Sequence, residues 1–342
     1  MDLIYMNANR EDVGVLQNYD LDLAFGSDEN SFECQIQSAD HCCEAGYFLY
    51  IDGTEYGGII DSIQVDTANN EVKYTGRTWH GILESKVILP MQSSEPSVSG
   101  VTVKSSDAAG SLLDKYLVIT GEANKCIQFI LKRIGLDALF SASTEPTGIT
   151  ITSYQFSRYT DAYSGLCKML KSAGLKLETT FQNGMVVLSA VALYDYSQDE
   201  EFDSDSVEFT MRKNYKSVNH LLCLGSGELA DRMVVHLYAD ADGNISQTQT
   251  FVGIDEYAAV YDYPNVESLE ELISSGTDEL KALWEQNELA IDFDPDADLY
   301  GIGDIVGAYD NITKVNVSSE ITKKIVTIKN GQTNISYEVG EK

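Results

Sequence analysis

The chain has 342 residues, 43% of them hydrophobic and 23% charged, with only five prolines. This is the composition of a folded protein rather than a disordered or fibrous one, and at roughly 100 to 200 residues per domain the length predicts two or three domains. Fifty-four acidic residues against 23 basic ones give a net charge of −31, a surface that repels phosphate backbones and anionic lipid and so argues against stable nucleic-acid binding or membrane insertion.

The acidity is uneven: Glu228 to Asp298 carries eighteen acids with only Arg232 and Lys281 as bases, and Asp195 to Glu208 carries seven acids and no base. Solvated acidic faces are the plain reading, and a lining for a conduit that carries a polyanion is the sharper one. The N-terminal Met1-Asp-Leu-Ile-Tyr-Met-Asn has neither the basic nor the apolar region of a signal peptide, and no apolar run reaches the roughly 18 residues of a spanning helix. The six cysteines, Cys34, Cys42, Cys43, Cys126, Cys167 and Cys223, form no CxxC pattern. They read as reduced thiols, with adjacent Cys42 and Cys43 poorly placed to bridge each other, and His41 beside them finds no second ligand cluster for a metal.

Twenty tyrosines and abundant Val, Ile and Thr favour strands. The first ninety residues read as a meander: Phe32 to Gln37 alternates, Tyr47 to Ile51 is apolar, Asp52-Gly53 turns, Gly57 to Val65 returns, and Asp66 to Asn70 turns into Glu71 to Thr75. From Gly76 to Ile88 the period becomes helical, with Trp79, Ile82 and Leu83 on one face and Thr75 or Thr78 as cap. Pro90 to Ser106 marks a crossing between units. Glu122 to Ile134 is a predicted helix ending at Gly135, Gly148 to Phe156 a strand, and Tyr159, Tyr163, Leu166, Cys167 and Leu170 a second helical stripe ending at Gly174. Lys176 to Thr180 is predicted to pair with Met185 to Leu193 across Gln182-Asn-Gly184.

Further on, strands are expected at Ser206 to Thr210 and Asn219 to Leu224, and a hairpin runs from Met233 to Tyr238 through Asp240 to Gly243 and back along Ser246 to Val252. Two short helices follow, Ser268 to Ser275, opened by a Ser268/Glu271 capping box, and Thr277 to Asn287. The closing strands are Ala290 to Phe293, Asp304 to Ala308, Lys314 to Lys323, and Lys324 to Lys329, the last returning through Asn330-Gly331 as Asn334 to Val339.

No catalytic constellation is complete. His41, His80, His220 and His236 are scattered, and GxSxG, HExxH and Walker-type loops are missing from the sequence. Asp292-Phe-Asp-Pro-Asp-Ala-Asp298 begins like a calcium loop, but Ala297 stands where glycine is needed and Gly303 where the bidentate glutamate belongs. No residue is nominated as catalytic, cofactor-binding or metal-ligating, and no cofactor is expected.

Two stretches carry more. Tyr50-Ile-Asp-Gly-Thr-Glu-Tyr-Gly-Gly-Ile-Ile-Asp-Ser-Ile with Tyr74-Thr-Gly-Arg-Thr-Trp-His-Gly-Ile-Leu-Glu-Ser-Lys-Val-Ile88 resembles the N-terminal part of siphophage tail-hub proteins, where a Thr-Gly-Arg turn precedes an amphipathic helix. Tyr300-Gly-Ile-Gly-Asp-Ile-Val-Gly, Val317-Ser-Ser-Glu-Ile-Thr-Lys-Lys and the hairpin to Gly340 are similar to the closing barrel of that family. The resemblance extends to the hub region of tail-associated lysins and to contractile-phage baseplate hubs.

It implies a mainly β, α+β chain: a tube-like β-barrel over residues 1–95, an α+β domain over 96–200, and a second tube-like barrel over 201–342 with a helical insertion at about 264–289. It further implies a non-enzymatic homotrimeric ring of pseudo-sixfold symmetry at the virion tail tip, assembled in the host cytoplasm. Such a ring would join the tail tube to the tip, gate DNA passage, and contact distal-tail, tape-measure and tip or fibre proteins. With nothing resembling a peptidase or muramidase after the last hairpin, wall cleavage is assigned to another polypeptide. The competing expectation is an acidic carbohydrate-binding or carbohydrate-active β protein.

Overall fold

The computed structural model describes residues 1–26, 29–91, 94–105, 116–198, 202–203, 209–212, 217–227, 229–241, 243–264, 266, 268–284, 288–291, 300–310 and 315–340. The chain is mainly β and divides into two compact units, Met1–Phe209 with Ile291–Gly340, and Thr210–Ala290.

The first unit opens with β1 (Leu3–Met6), β2 (Asp12–Leu16), β3 (Asp20–Gly26), β4 (Ser31–Gln37), β5 (Phe48–Tyr50), β6 (Gly57–Asp66) and β7 (Glu71–Thr78), which runs straight into α1 (Trp79–Glu84). In β4, Phe32, Cys34 and Ile36 point inward and alternate with half-buried polar residues, the period-two signature of a strand with one face on a core. The β6–β7 turn is set by Asp66, whose Oδ1 accepts from the amides of Ala68 at 2.8 Å and Asn69 at 3.1 Å.

After β8 (Val87–Ile88) come β9 (Thr102–Ser105), β10 (Leu117–Glu122), α2 (Ala123–Arg133), β11 (Phe140–Ala142), β12 (Thr150–Gln155), β13 (Thr160–Asp161), α3 (Ala162–Lys171), β14 (Leu175–Gln182) and β15 (Met185–Ala192). The Glu122 carboxylate caps α2 by accepting from the Lys125 amide at 3.1 Å, Lys132 and Arg133 face the negative end of its dipole, and Gly135 leaves the helix at φ +71°. Asp161 caps α3 at Ser164 N, 2.7 Å away. Between β14 and β15, Asn183 and Gly184 both have positive φ and bring Gln182 opposite Met185, the tight hairpin expected of Asn-Gly.

The core of this unit gathers α1, α2, α3 and the sheets around them: Trp79, Ile127, Phe129, Ile130, Leu166, Met169, Leu170, Val186 and Leu188 are fully buried. At about 1.5 to 3 kcal/mol for each large side chain, this cluster is the main stabilising term for the α+β part.

The second unit begins within β17 (Phe209–Arg212), after the short β16 (Phe202–Asp203), continues with β18 (His220–Leu224), β19 (Val234–Ala239), β20 (Ile245–Ser246), β21 (Ala258–Asp262) and α4 (Leu269–Trp284), and ends within β22 (Glu288–Ile291). Its four-stranded sheet runs β20-β19-β18-β21, with β21 parallel to β18. One face, Leu221, Cys223, Val235, Leu237 and Ala239, packs on Leu272 and Leu280 of α4.

The chain closes in the first unit with β23 (Ile305–Asp310), β24 (Val315–Lys329) and β25 (Gln332–Gly340). β24 pairs with β3, so strands from both ends of the sequence share one 11-stranded sheet in the order β16-β23-β24-β3-β4-β7-β6-β5-β1-β2, with β25 on β24. Among the described residues no sheet closes on itself into a barrel.

Several elements differ from their sequence-based forms. The two helices expected around residues 268–287 are one continuous α4, running through Gly276. The two strands expected to meet at Lys323/Lys324 are one strand, β24. Thr78, not Thr75, caps α1. Thr75-Gly76-Arg77 lies inside β7 rather than in a turn, and the expected return strand from Ser246 to Val252 shrinks to β20, with β21 completing the sheet. The calcium-like Asp292 to Asp298 and most of the strand expected at Ser206 to Thr210 lie outside the described residues. Among the described residues no helix is long and apolar enough to cross a membrane.

Candidate functional site

The two stretches that stand out in the sequence meet in the first unit. In β7, Gly76 faces the β6 backbone so closely that a Cβ would lie 1.8 Å from the Ile59 carbonyl oxygen. The register between β6 and β7 shifts there, between Ile60 and Ser62, and leaves Asp61 as the extra residue of a bulge. The bulge aims Asp61 at Arg77, which donates Nε to Oδ2 and Nη2 to Oδ1, each at 2.8 Å. This forked pair holds the Asp61 carboxyl below its ordinary pKa, chiefly through the Arg77 hydrogen bonds.

The next residues start α1. Thr78 Oγ1 accepts from Gly81 N, and Trp79 is fully buried, stacked on Phe181 at 5.3 Å between ring centres and beside Phe48 at 6.1 Å. The Trp79 Nε1 and His80 Nδ1 atoms are buried without a hydrogen-bond partner, a cost of about 1 to 3 kcal/mol for a buried donor or acceptor left unpaired.

His80 is the centre of a polar cluster. Its Nε2 lies 2.9 Å from Thr179 Oγ1 of β14 and 4.0 Å from Glu55 Oε2 of the β5–β6 turn. Glu55 accepts from Lys324 Nζ of β24 at 2.8 Å, and that ammonium also sits 5.3 Å above the Tyr56 ring. Lys324 is 4% exposed. Burial pushes the His80 pKa down, which keeps the ring neutral beside the lysine.

A second pair adjoins it. Asp304, fully buried at the entry to β23, accepts from Lys176 Nζ of β14 at 2.5 Å, from Gly301 N at 2.8 Å and from Tyr194 N at 3.1 Å. The Tyr300-Gly-Ile-Gly-Asp304 segment folds tightly to make this possible: Gly303 takes φ +96°, and a Cβ on Gly301 would meet Lys176 Nζ at 2.6 Å. A cavity of about 250 Å³ opens over the cluster, lined by Glu55, Tyr56, His80, Lys176, Tyr300 and Lys324.

Chemically this is a fastening rather than a reactive centre. Both innermost carboxylates are held by lysines, which ties the turn after β5, α1, β14, β23 and β24 together. Buried pairs of this kind define geometry more than they add stability. None of these four ion-paired residues was singled out from the sequence. The signal that could have found one is Lys324, which shares the inward parity of Val326 and Ile328 in an otherwise apolar stripe.

The histidines, scattered in sequence, divide in space. His41 Nδ1 lies 2.8 Å from the Tyr74 hydroxyl. In the second unit His220 and His236 meet, Nε2 to Nδ1 at 2.9 Å, with Glu256 Oε1 2.6 Å from His220 Nδ1. All six cysteines are unbridged. Among the described residues no group of three or more His, Cys, Asp or Glu side chains is placed to hold a metal ion.

The fold is shared with a solved prophage tail protein. It matches the 43 kDa tail protein of prophage MuSo2 from Shewanella oneidensis with a TM-score of 0.54 and 10% identity, over 100% of this chain and 98% of the other. The tail protein from Neisseria meningitidis MC58 aligns with a TM-score of 0.48 and 14% identity, over 99% and 96% of the two chains. A chain of the activated phage P2 baseplate aligns at 0.49 and 11%, over 100% and 99%. No protein-family description and no curated protein matches the sequence itself.

Proposed function

We propose that the chain is a structural subunit of a phage or prophage tail tip, a hub-like ring component rather than an enzyme. The observation that carries this reading is the end-to-end fold match to the MuSo2 tail protein, which leaves no part of the chain unaligned. In the fuller form of the proposal, three copies form a ring in which the two ends of each chain, joined in the 11-stranded sheet, supply two tube-facing segments, so that a sixfold tube can rest on a threefold tip. The net charge of −31 supports a lumen through which DNA slides without adhering, and distal-tail, tape-measure and tip or fibre proteins are its neighbours.

The test is deletion of the gene from its host element followed by electron microscopy of induced particles. Loss of tail tips or of whole tails, restored by the gene in trans, is the expected result, with gold-labelled antibody marking the tail end distal to the head. Normal infectious tails without the chain, or label on the capsid, would overturn the proposal.

A further inference from the structure

A second feature of the first unit lies away from the polar cluster, in the loop between β4 and β5. Here the side chains of consecutive cysteines converge: Cys42 Sγ and Cys43 Sγ are 3.9 Å apart, with Cys42 exposed and Cys43 fully buried. The cause is Tyr74. Its buried hydroxyl accepts from the amides of both Cys42, at 3.3 Å, and Cys43, at 3.4 Å, and it also meets His41 Nδ1. Two successive amides directed at one oxygen hold the backbone where both sulfurs lie together.

We infer that Cys42 and Cys43 form a vicinal dithiol that exchanges with small-molecule disulfides and closes to a vicinal disulfide. In the first step the Cys42 thiolate attacks a disulfide RSSR, its sulfur–sulfur bond breaks, and one thiolate RS⁻ leaves. Cys43 then loses its proton to solvent and attacks Cys42 Sγ, expelling the second RS⁻. The two cysteines are oxidised by two electrons, and the reagent is reduced to two thiols.

Burial raises the Cys43 pKa, so ring closure waits on that deprotonation and accelerates as pH rises. Adjacent Cα atoms across a trans peptide lie about 3.8 Å apart, below the roughly 4.4 to 6.8 Å of ordinary disulfides. The ring is therefore strained and reopens under mild reduction, unlike a structural bridge. Closure also rotates the Cys42–Cys43 peptide, whose N–H is the Cys43 donor to Tyr74, so β7 senses the state of the loop.

The experiment treats the full chain with oxidised glutathione at mildly alkaline pH, quenches with acid, and titrates thiols after denaturation. The count should fall from six to four, with peptide mapping placing the lost hydrogens on Cys42 and Cys43, and low dithiothreitol should restore all of them. Cys34→Ser should close like the parent, Cys43→Ser should stop at a glutathione adduct on Cys42, and Cys42→Ser should do neither. A persistent adduct on Cys42 in the parent, a bridge from Cys43 to buried Cys34, a cross-linked dimer through Cys42, or six surviving thiols would each overturn the inference.

Discussion

Replacing Lys324 with methionine keeps the length of the side chain and removes its charge, which leaves Glu55 half-buried on the cavity wall without its cation. The pair is 2.8 Å apart, with the lysine side chain 5% and the glutamate 21% exposed. At an effective dielectric near 20 the gross attraction is about 6 kcal/mol, largely offset by the desolvation of both groups. Breaking such a pair from one side costs about 3 to 5 kcal/mol, and the residual exposure of Glu55 places this case near 3. Removing both charges with Lys324→Met and Glu55→Leu should recover stability to within about 1 kcal/mol of the parent. The assay is urea unfolding in a Trp284→Phe background, which leaves buried Trp79 as the only tryptophan, since the chain has two. A single variant that loses less than about 1 kcal/mol, or a double variant no more stable than the single, would refute the reasoning.

Three other outcomes follow from the same geometry. Because the folded state lowers the His80 pKa from its ordinary 6.5, the unfolded chain binds the proton first. Stability from this residue is thus present above pH 6.5 and lost as pH falls below it, at up to about 1.4 kcal/mol per pH unit; the difference between parent and His80→Gln unfolding curves across pH 5 to 8 should show that slope, and a flat difference would contradict it. Gly276→Ala would ordinarily stabilise a helix interior by about 1 kcal/mol, yet its Cβ would lie 2.5 Å from Cys223 Sγ. It should instead lower the melting temperature of the second unit, read by Trp284 fluorescence, with partial rescue by Cys223→Ala. Asp61→Asn breaks a pair whose side chains are 42% and 39% exposed, so chemical unfolding should register a loss of at most about 1 kcal/mol.

The local signals in the sequence located most of the α+β part. The apolar stripes of α2 and α3, the terminal Gly135 and Gly174 and the Asn183-Gly184 hairpin are determined within a few residues of themselves, so periodicity and turn chemistry suffice. The misreadings come from partners remote in sequence. Gly276 looks like a helix break, but it is where α4 needs no side chain to approach Cys223 on β18. The Lys323-Lys324 pair looks like a strand boundary, whereas Lys323 reaches Glu29 and Lys324 reaches Glu55, and a bulge between Ile321 and Lys323 turns Lys324 inward. The Thr75-Gly76-Arg77 motif reads as a turn until Ile59 and Asp61 on the neighbouring strand explain why a side chain is excluded at one position and a cation required at the next. β1 and β21 are short strands that pair with β5 and β18, remote in sequence, and β2 is a short edge strand on β1.

The pairing of β3 with β24 also governs how the chain is born. Lys323 and Glu29 are 294 positions apart, which at about 5 to 20 residues per second amounts to roughly 15 to 60 seconds of translation. Throughout that interval the apolar stretch around Leu21, Leu23 and Phe25 waits on the ribosome with one flank unmatched, an invitation to sticking between nascent chains. Mutations that speed unpaired sheet edges into aggregates should therefore reduce yield during synthesis while leaving the mature protein's resistance to denaturant unchanged.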